Sequence, residues 1–316
     1  MKTIHSSFRA TLGGLGAILL WSTTVAVARS LSEQLGPVTA ATTVFSVSGC
    51  IALVSLLRNS DRRRQIMSLP IRYLAGCGAL FVIYMLFMFL AVGWAENRQQ
   101  TLEVGLLNYL WPTLTLVLSL VFLENKASWI LLLGSLLAIV GVFLVVTQGG
   151  IVSWQSIFGN LSGNPVAYSL AFAAALSWAT YSNLTRRWAG GQKEGGVVIF
   201  LPITAIVLLL ICFSLDEQRI WSYRALAEAL FLGIATYIGY ALWDNAMRKG
   251  NVVFVAAASY MTPVLSTIVS CLYLAVVPGA RLWMGCGILI IGSILSWRSV
   301  SDASNKDDLS QRHGGH

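Results

Sequence analysis

Chemistry in this sequence is constrained first by where its histidines lie. His5, His313 and His316 sit near the two ends of the chain, outside every long apolar stretch, so no metal box can be assembled among apolar segments. Asp244 is the one acid well inside such a stretch. Glu103 and Glu228 fall at stretch ends, which leaves no carboxylate pair for general acid–base work. Neither a Gly-x-x-x-x-Gly-Lys-Ser/Thr phosphate loop nor a Gly-x-Ser-x-Gly elbow occurs. No catalytic residue, metal or cofactor is expected, and an integral membrane enzyme is the disfavoured alternative. What remains is recognition by rings. Trp21, Trp111 and Trp178 lie deep inside apolar stretches, Trp243 lies nearer an end, and Tyr84, Tyr109, Tyr181, Tyr240 and Tyr260 add hydroxyls at similar depth. An indole N–H in hydrocarbon wants a polar partner or a wet cavity. Neutral polar groups accompany the rings: Ser22 and Thr23 follow Trp21, Asn108 precedes Tyr109, and Thr180, Asn183 and Asn245 are close by. Such walls suit a neutral or zwitterionic solute with a flat apolar part. An anionic solute would call for Lys or Arg at mid-depth. The expected binding set is therefore Trp21, Thr23, Tyr84, Asn108, Tyr109, Trp111, Trp178, Tyr240 and Tyr260.

The elements that must position these groups are membrane helices. Hydrophobic residues make up 56% and charged residues 11% of the 316 positions, against about 25% charged in soluble domains. Apolar spans of helix-crossing length are placed near 10–31, 37–57, 70–95, 103–123, 128–148, 165–187, 195–215, 225–247, 252–277 and 281–299. Their continuity argues against a β-barrel, whose strands alternate. The first span is too long, and lacks the cleavage site, for a removable signal peptide, so it is expected to stay as a helix.

The chain repeats itself. Tyr109-Leu110-Trp111-Pro112 returns as Tyr260-Met261-Thr262-Pro263, and Gly134 and Gly141 return as Gly285 and Gly292 at the same offset. Trp21 and Arg29 find counterparts in Trp178 and Arg186 at nearly that offset. The expected organisation is a single transmembrane domain over 1–316, all-α, with ten helices as a five-plus-five inverted repeat: residues 10–148 and then 165–299. An odd number of spans turns the second copy over in the membrane, the layout of secondary transporters with a site near mid-depth. Gly149 to Asn164 would join the copies through a short interfacial helix on the outer surface, and 300–316 would be a disordered cytoplasmic tail.

Net charge is +8, but most basic residues fall in alternate short loops, among them Arg62, Arg63, Arg64, Lys126, Arg187, Lys193 and Lys249. Arg29, Arg98, Arg219, Arg224 and Arg281 are left to the other side. This is the positive-inside pattern, not a nucleic-acid footprint, and it puts both termini in the cytoplasm. The lipid bilayer is the expected surrounding; monomer and homodimer both stay open. Cys50, Cys77, Cys212, Cys271 and Cys286 lie inside spans without Cys-x-x-Cys spacing and are expected to pack as small apolar groups.

Three further residues are candidate moving parts. Pro112 and Pro263 hold matching places near the starts of the fourth and ninth spans, where a kink would turn backbone polar groups toward a cavity. Asp244 stands four residues before Arg248, the spacing of a same-face ion pair; it is either a structural pair or a gate and proton carrier. Arg29 and Arg186, at span ends, are expected to snorkel to the interface.

Taken together, Leu20-Trp21-Ser22-Thr23, Glu103 through Pro112, Tyr240 with Trp243, Gly250-Asn251-Val252, and Ser259 through Ser266 resemble the drug/metabolite transporter superfamily, EamA-like branch. The resemblance runs over about residues 10–299. It implies a bacterial inner-membrane exporter of aromatic amino acids and related small amphipathic metabolites, working by alternating access; the lack of a carboxylate at mid-depth other than the peripheral Asp244 adds the expectation of a uniporter. A proton-coupled multidrug or metabolite exporter of the same superfamily is the alternative. Asp244-Asn245 departs from the pattern, which carries a neutral Asn after the Trp.

Overall fold

The structure is a computed structural model that describes residues 2–147, 153–214, 216–217, 219–273 and 280–301. Helices account for nearly all of it. The first half contains α1 (Lys2–Leu35), α2 (Pro37–Arg58), a short α3 (Ser60–Met67), α4 (Gly78–Gly93), α5 (Arg98–Asn108), α6 (Trp111–Phe122) and α7 (Ile130–Val146). After α8 (Trp154–Gly163) come α9 (Pro165–Ala189), α10 (Val197–Cys212), α11 (Tyr223–Lys249), α12 (Val252–Ala258), α13 (Met261–Tyr273) and α14 (Ala280–Ser299). A π-helical turn, Tyr73–Cys77, leads into α4. Two-residue strands β1 (Lys126–Ala127) and β2 (Val300–Ser301) pair antiparallel. Val300 and Ser301 thus belong to a strand, and the rest of the expected tail lies outside the described residues.

Four helices, Pro37–Arg58, Tyr73–Gly93, Gln99–Phe122 and Tyr223–Lys249, are long and apolar enough to cross a bilayer, and α1 adds a fifth as two segments bent by 46°. Ile130–Val145, Val197–Cys212 and Val252–Ser266 are shorter apolar helices. Several starts have a local reason. Asn59, Asn97, Ser153, Asn164, Ser222 and Asn251 accept backbone N–H bonds as caps of α3, α5, α8, α9, α11 and α12, each worth about 1 kcal/mol. At α2 the Glu217 carboxylate takes the free Val38 and Thr39 amides at 3.0 and 2.7 Å.

Helices of the first half pack on helices of the second: α1 on α11, α4 on α9, α2 on α10 and α7 on α14. Outward faces such as Leu132, Leu136, Ile206, Leu210, Leu230 and Ile234 stay exposed and apolar, a surface that lipid covers at no cost and water does not. Cys77, Cys212 and Cys286 are buried, while Cys50 is exposed and so does not pack internally as expected.

Breaks occur at two matching places. The Tyr109 N–H reaches both Gly105 and Leu106, and the Leu110 N–H bonds Leu107, before α6 begins with Pro112 in its first turn. Near Tyr260 the bonding again shortens: Tyr260 N–H to Ala257 and Thr262 N–H to Ser259. Proline there lacks an N–H that a first turn does not need.

Candidate binding cavity

The two breaks meet α1, α4, α9 and α11 around a cavity of about 230 Å³ lined by Trp21, Thr24, Tyr84, Asn108, Tyr109, Trp111, Trp178, Tyr240 and Thr262. Trp178 is the centre of the ring cluster. Its ring centroid lies 4.8 Å from Tyr84, 6.0 Å from Trp21 and 6.3 Å from Trp111, the last nearly perpendicular at 85°. Tyr240 is 5.3 Å from Trp21. Such tilted and edge-on pairs are each worth about 0.5–1.5 kcal/mol beyond the area they bury. Trp243, expected nearer an end, belongs to the same cluster at 5.3–5.8 Å from Trp111, Trp21 and Trp178. It is fully buried and donates its Nε1 to Ser182 Oγ at 3.3 Å.

Two of the expected residues lie elsewhere. Thr23 is exposed and donates to the Leu20 carbonyl at 2.8 Å, while the next residue, Thr24, lines the cavity. Tyr260 is buried behind the wall and shares a short hydrogen bond with Thr113. Sequence reasoning missed Thr24, Thr262 and Phe81, a ring 6.1 Å from Trp178 and 5.0 Å from Tyr240. The repeat held the signal for Thr262, which is the positional mate of Trp111. Among the described residues, no charged side chain lines the cavity.

A second cavity, about 210 Å³, lies where α5, α7, α8 and α9 meet and shares Tyr109 with the first. Its polar groups are engaged with each other. Glu103 accepts from Ser156 at 2.6 Å, Asn160 at 3.0 Å, Gln99 at 3.2 Å and the Tyr168 hydroxyl, so it ties α8 to the bundle. Trp154 of α8 stacks on Phe143 at 4.2 Å.

Asp244 occupies a different setting, at the end of α11. Its Oδ2 takes Arg248 Nε at 2.7 Å, and its Oδ1 takes the Tyr73 hydroxyl at 2.6 Å and the Tyr181 hydroxyl at 3.3 Å. The Tyr73 hydroxyl in turn accepts the Gly196 N–H at 2.8 Å, and Arg248 donates to the Gln192 carbonyl. Both charged side chains are almost fully buried, 5% and 2% exposed for Arg248 and Asp244. Arg186 does not snorkel. It donates to the Arg248 and Gly250 carbonyls, completing the C-terminus of α11. Arg29 is exposed and pairs with Glu33.

The sequence profile of the EamA-like transporter family matches residues 8–147 and again 165–298. The chain belongs to the EamA-like transporter family. It is thus a multi-pass membrane protein of a transporter family, matched once in each half. Among curated relatives, the aromatic amino acid exporter YddG of Salmonella typhimurium is 36% identical over 92% of this chain and 98% of the relative. The Escherichia coli protein of that name is 35% identical over 92% and 97%, and a terminal-alkyne amino-acid exporter described as probable, from Streptantibioticus cattleyicolor, is 25% identical over 80% of each. A solved crystal structure 27% identical superposes with a TM-score of 0.76, covering 92% of this chain and 97% of that one.

Proposed function

We propose that this EamA-like transporter exports aromatic amino acids by alternating access, as a uniporter, with the cavity at Trp178 as its substrate site. The cavity carries the reading. It surrounds about 230 Å³ with six indole and phenol rings, three neutral polar side chains and no charge. Drug-sized pockets run from about 300 to 1,000 Å³, so this one suits a single small solute. The names of the relatives point the same way.

Ten crossings in a five-plus-five inverted repeat complete the proposal. Support comes from the double match to one profile and from the packing. Exchanging the halves turns α1 on α11 into α9 on α4, and returns α2 on α10 and α7 on α14 to themselves. The broken helices at Pro112 and Pro263 flex as the halves rock. Asp244, held by Arg248, Tyr73 and Tyr181, closes the cytoplasmic end. Since it does not line the cavity, no proton needs to accompany the solute.

Purified protein in liposomes, tested with a panel of amino acids with and without a pH gradient, decides this. Phenylalanine, tyrosine and tryptophan should equilibrate faster than alanine, without uphill accumulation when the gradient is imposed. Gradient-driven accumulation abolished by Asp244→Asn would make Asp244 a proton carrier and end the uniport reading. Reporter fusions after Arg64 and after Lys249 should read cytoplasmic, and one within Gly149 to Asn164 should read outside; the reverse at the linker would sink the inverted repeat.

A further inference from the structure

Two polar atoms in the cavity wall have no partner. Asn108 Oδ1 and Thr262 Oγ1 are both shielded from solvent, both lack a hydrogen bond, and both residues line the same cavity. Each such orphan costs about 1–3 kcal/mol; others, such as Ser135 Oγ and Thr185 Oγ1, lie away from the cavity, and only these two belong to residues of its lining, where a solute can pair them. The two atoms ask for different groups. An amide oxygen only accepts, and so needs a donor. A threonine hydroxyl can donate.

Their placement sharpens the difference. Asn108 is the last residue of α5, where backbone carbonyls concentrate negative partial charge. Thr262 is the second residue of α13, where backbone amides concentrate positive partial charge. The offset that pairs Tyr109 with Tyr260 and Pro112 with Pro263 also pairs Trp111 with Thr262. At this one pair of equivalent positions, one copy therefore offers the cavity an indole and the other a hydroxyl.

We infer that the cavity recognises the free amino-acid head group as well as the ring: Asn108 Oδ1 accepts from the α-ammonium, and Thr262 Oγ1 donates to the α-carboxylate. This rests on the reading of the site as one for aromatic amino acids. It adds that both ends of the zwitterion are read separately, by residues from opposite halves of the chain. An aromatic solute missing either group forfeits one of the two bonds.

The test is competition against labelled phenylalanine efflux from liposomes, using phenylalanine, phenethylamine, which has no carboxylate, and 3-phenylpropionate, which has no ammonium. In Thr262→Val, phenylalanine and phenylpropionate should weaken about tenfold while phenethylamine is unchanged. Thr262→Ser should restore both. In Asn108→Leu, phenylalanine and phenethylamine should weaken about tenfold while phenylpropionate is unchanged. Asn108→Ser serves as a second variant if the leucine reduces folded yield. Equal loss for all three probes, or no loss for any, would overturn the head-group assignment and leave the aromatic site standing. Wild-type protein that responds to none of the three would overturn the exporter reading itself.

Discussion

The cavity and the Asp244 cluster are one side chain apart, since the Tyr181 ring lies 5.1 Å from Trp178 while its hydroxyl reaches Asp244. They treat polar atoms in opposite ways. Asp244, Arg248, Tyr73 and Tyr181 are matched with one another and with the Gly196 and Gln192 backbone. Around the cavity, Asn108 Oδ1 and Thr262 Oγ1 are left open. Under the proposed function a matched cluster acts as a latch that holds one arrangement of helices, and an unmatched one receives the solute, a difference that residue type alone does not reveal.

The sharpest way to break that distinction is to remove one half of the latch. Asp244→Ala or Arg248→Ala leaves a buried charge unpaired, a loss of about 3–5 kcal/mol, and should show as a large drop in thermal midpoint and folded yield in detergent. Little change in either would mean that water reaches the pair and that it is no latch. Trp178→Ala should come next, because this ring is 2% exposed. Emptying it costs about 3–5 kcal/mol, so stability and flux should fall together. Gly195→Ala tests the latch without removing a charge: a Cβ there would overlap Asp244 Oδ2 and lie 2.8 Å from Arg248 Nε. The overpacking should cost about 1–3 kcal/mol, read as a lower melting temperature with the ligand preference unaltered.

Trp21 is half-buried, and Trp21→Ala should behave in the opposite manner: normal yield, and phenylalanine flux at subsaturating concentration reduced about tenfold, the scale of one lost stacking contact. Full flux with normal yield would place the solute elsewhere. The smallest effect separates two adjacent threonines. Thr24→Val should weaken flux a few-fold, about what one neutral hydrogen bond supplies, whereas Thr23→Val should change nothing measurable. A reversal would mean that α1 presents a different face in the transporting state.

Much of this arrangement was legible because it depends on local pattern. Apolar runs located the helices, and the doubled Tyr-x-x-Pro motif pointed to the breaks. The rings at 21, 84, 109, 111, 178 and 240 could be read from depth, and the structure gathers them around one cavity. What could not be read depends on phase and distance. Thr23 and Thr24 differ by one step of about 100° around a helix, finer than span boundaries can fix. Tyr73 reaches Asp244 from far along the chain and out of a π-helical turn, which no apolar periodicity announces. Arg186 looked like an interface anchor because its partners are carbonyls at the end of another helix. Ser60–Met67 folds as a helix although its charge-rich sequence reads as a loop.

The pairing of α7 with α14 brings backbone against backbone. A Cβ at Gly134 would sit 2.6 Å from the Ser296 nitrogen, one at Gly141 2.6 Å from the Leu289 nitrogen, and one at Gly285 3.0 Å from the Val145 nitrogen. Gly292 meets Ala138 and Gly134 in the same way. None of these glycines touches the cavity wall. Under the proposed function the frame and the specificity of this transporter are then separately adjustable. A side chain added at the seam has no volume to occupy and would cost stability, whereas a substitution at the wall would alter what is carried and leave the frame intact, so cargo could diverge without a new scaffold.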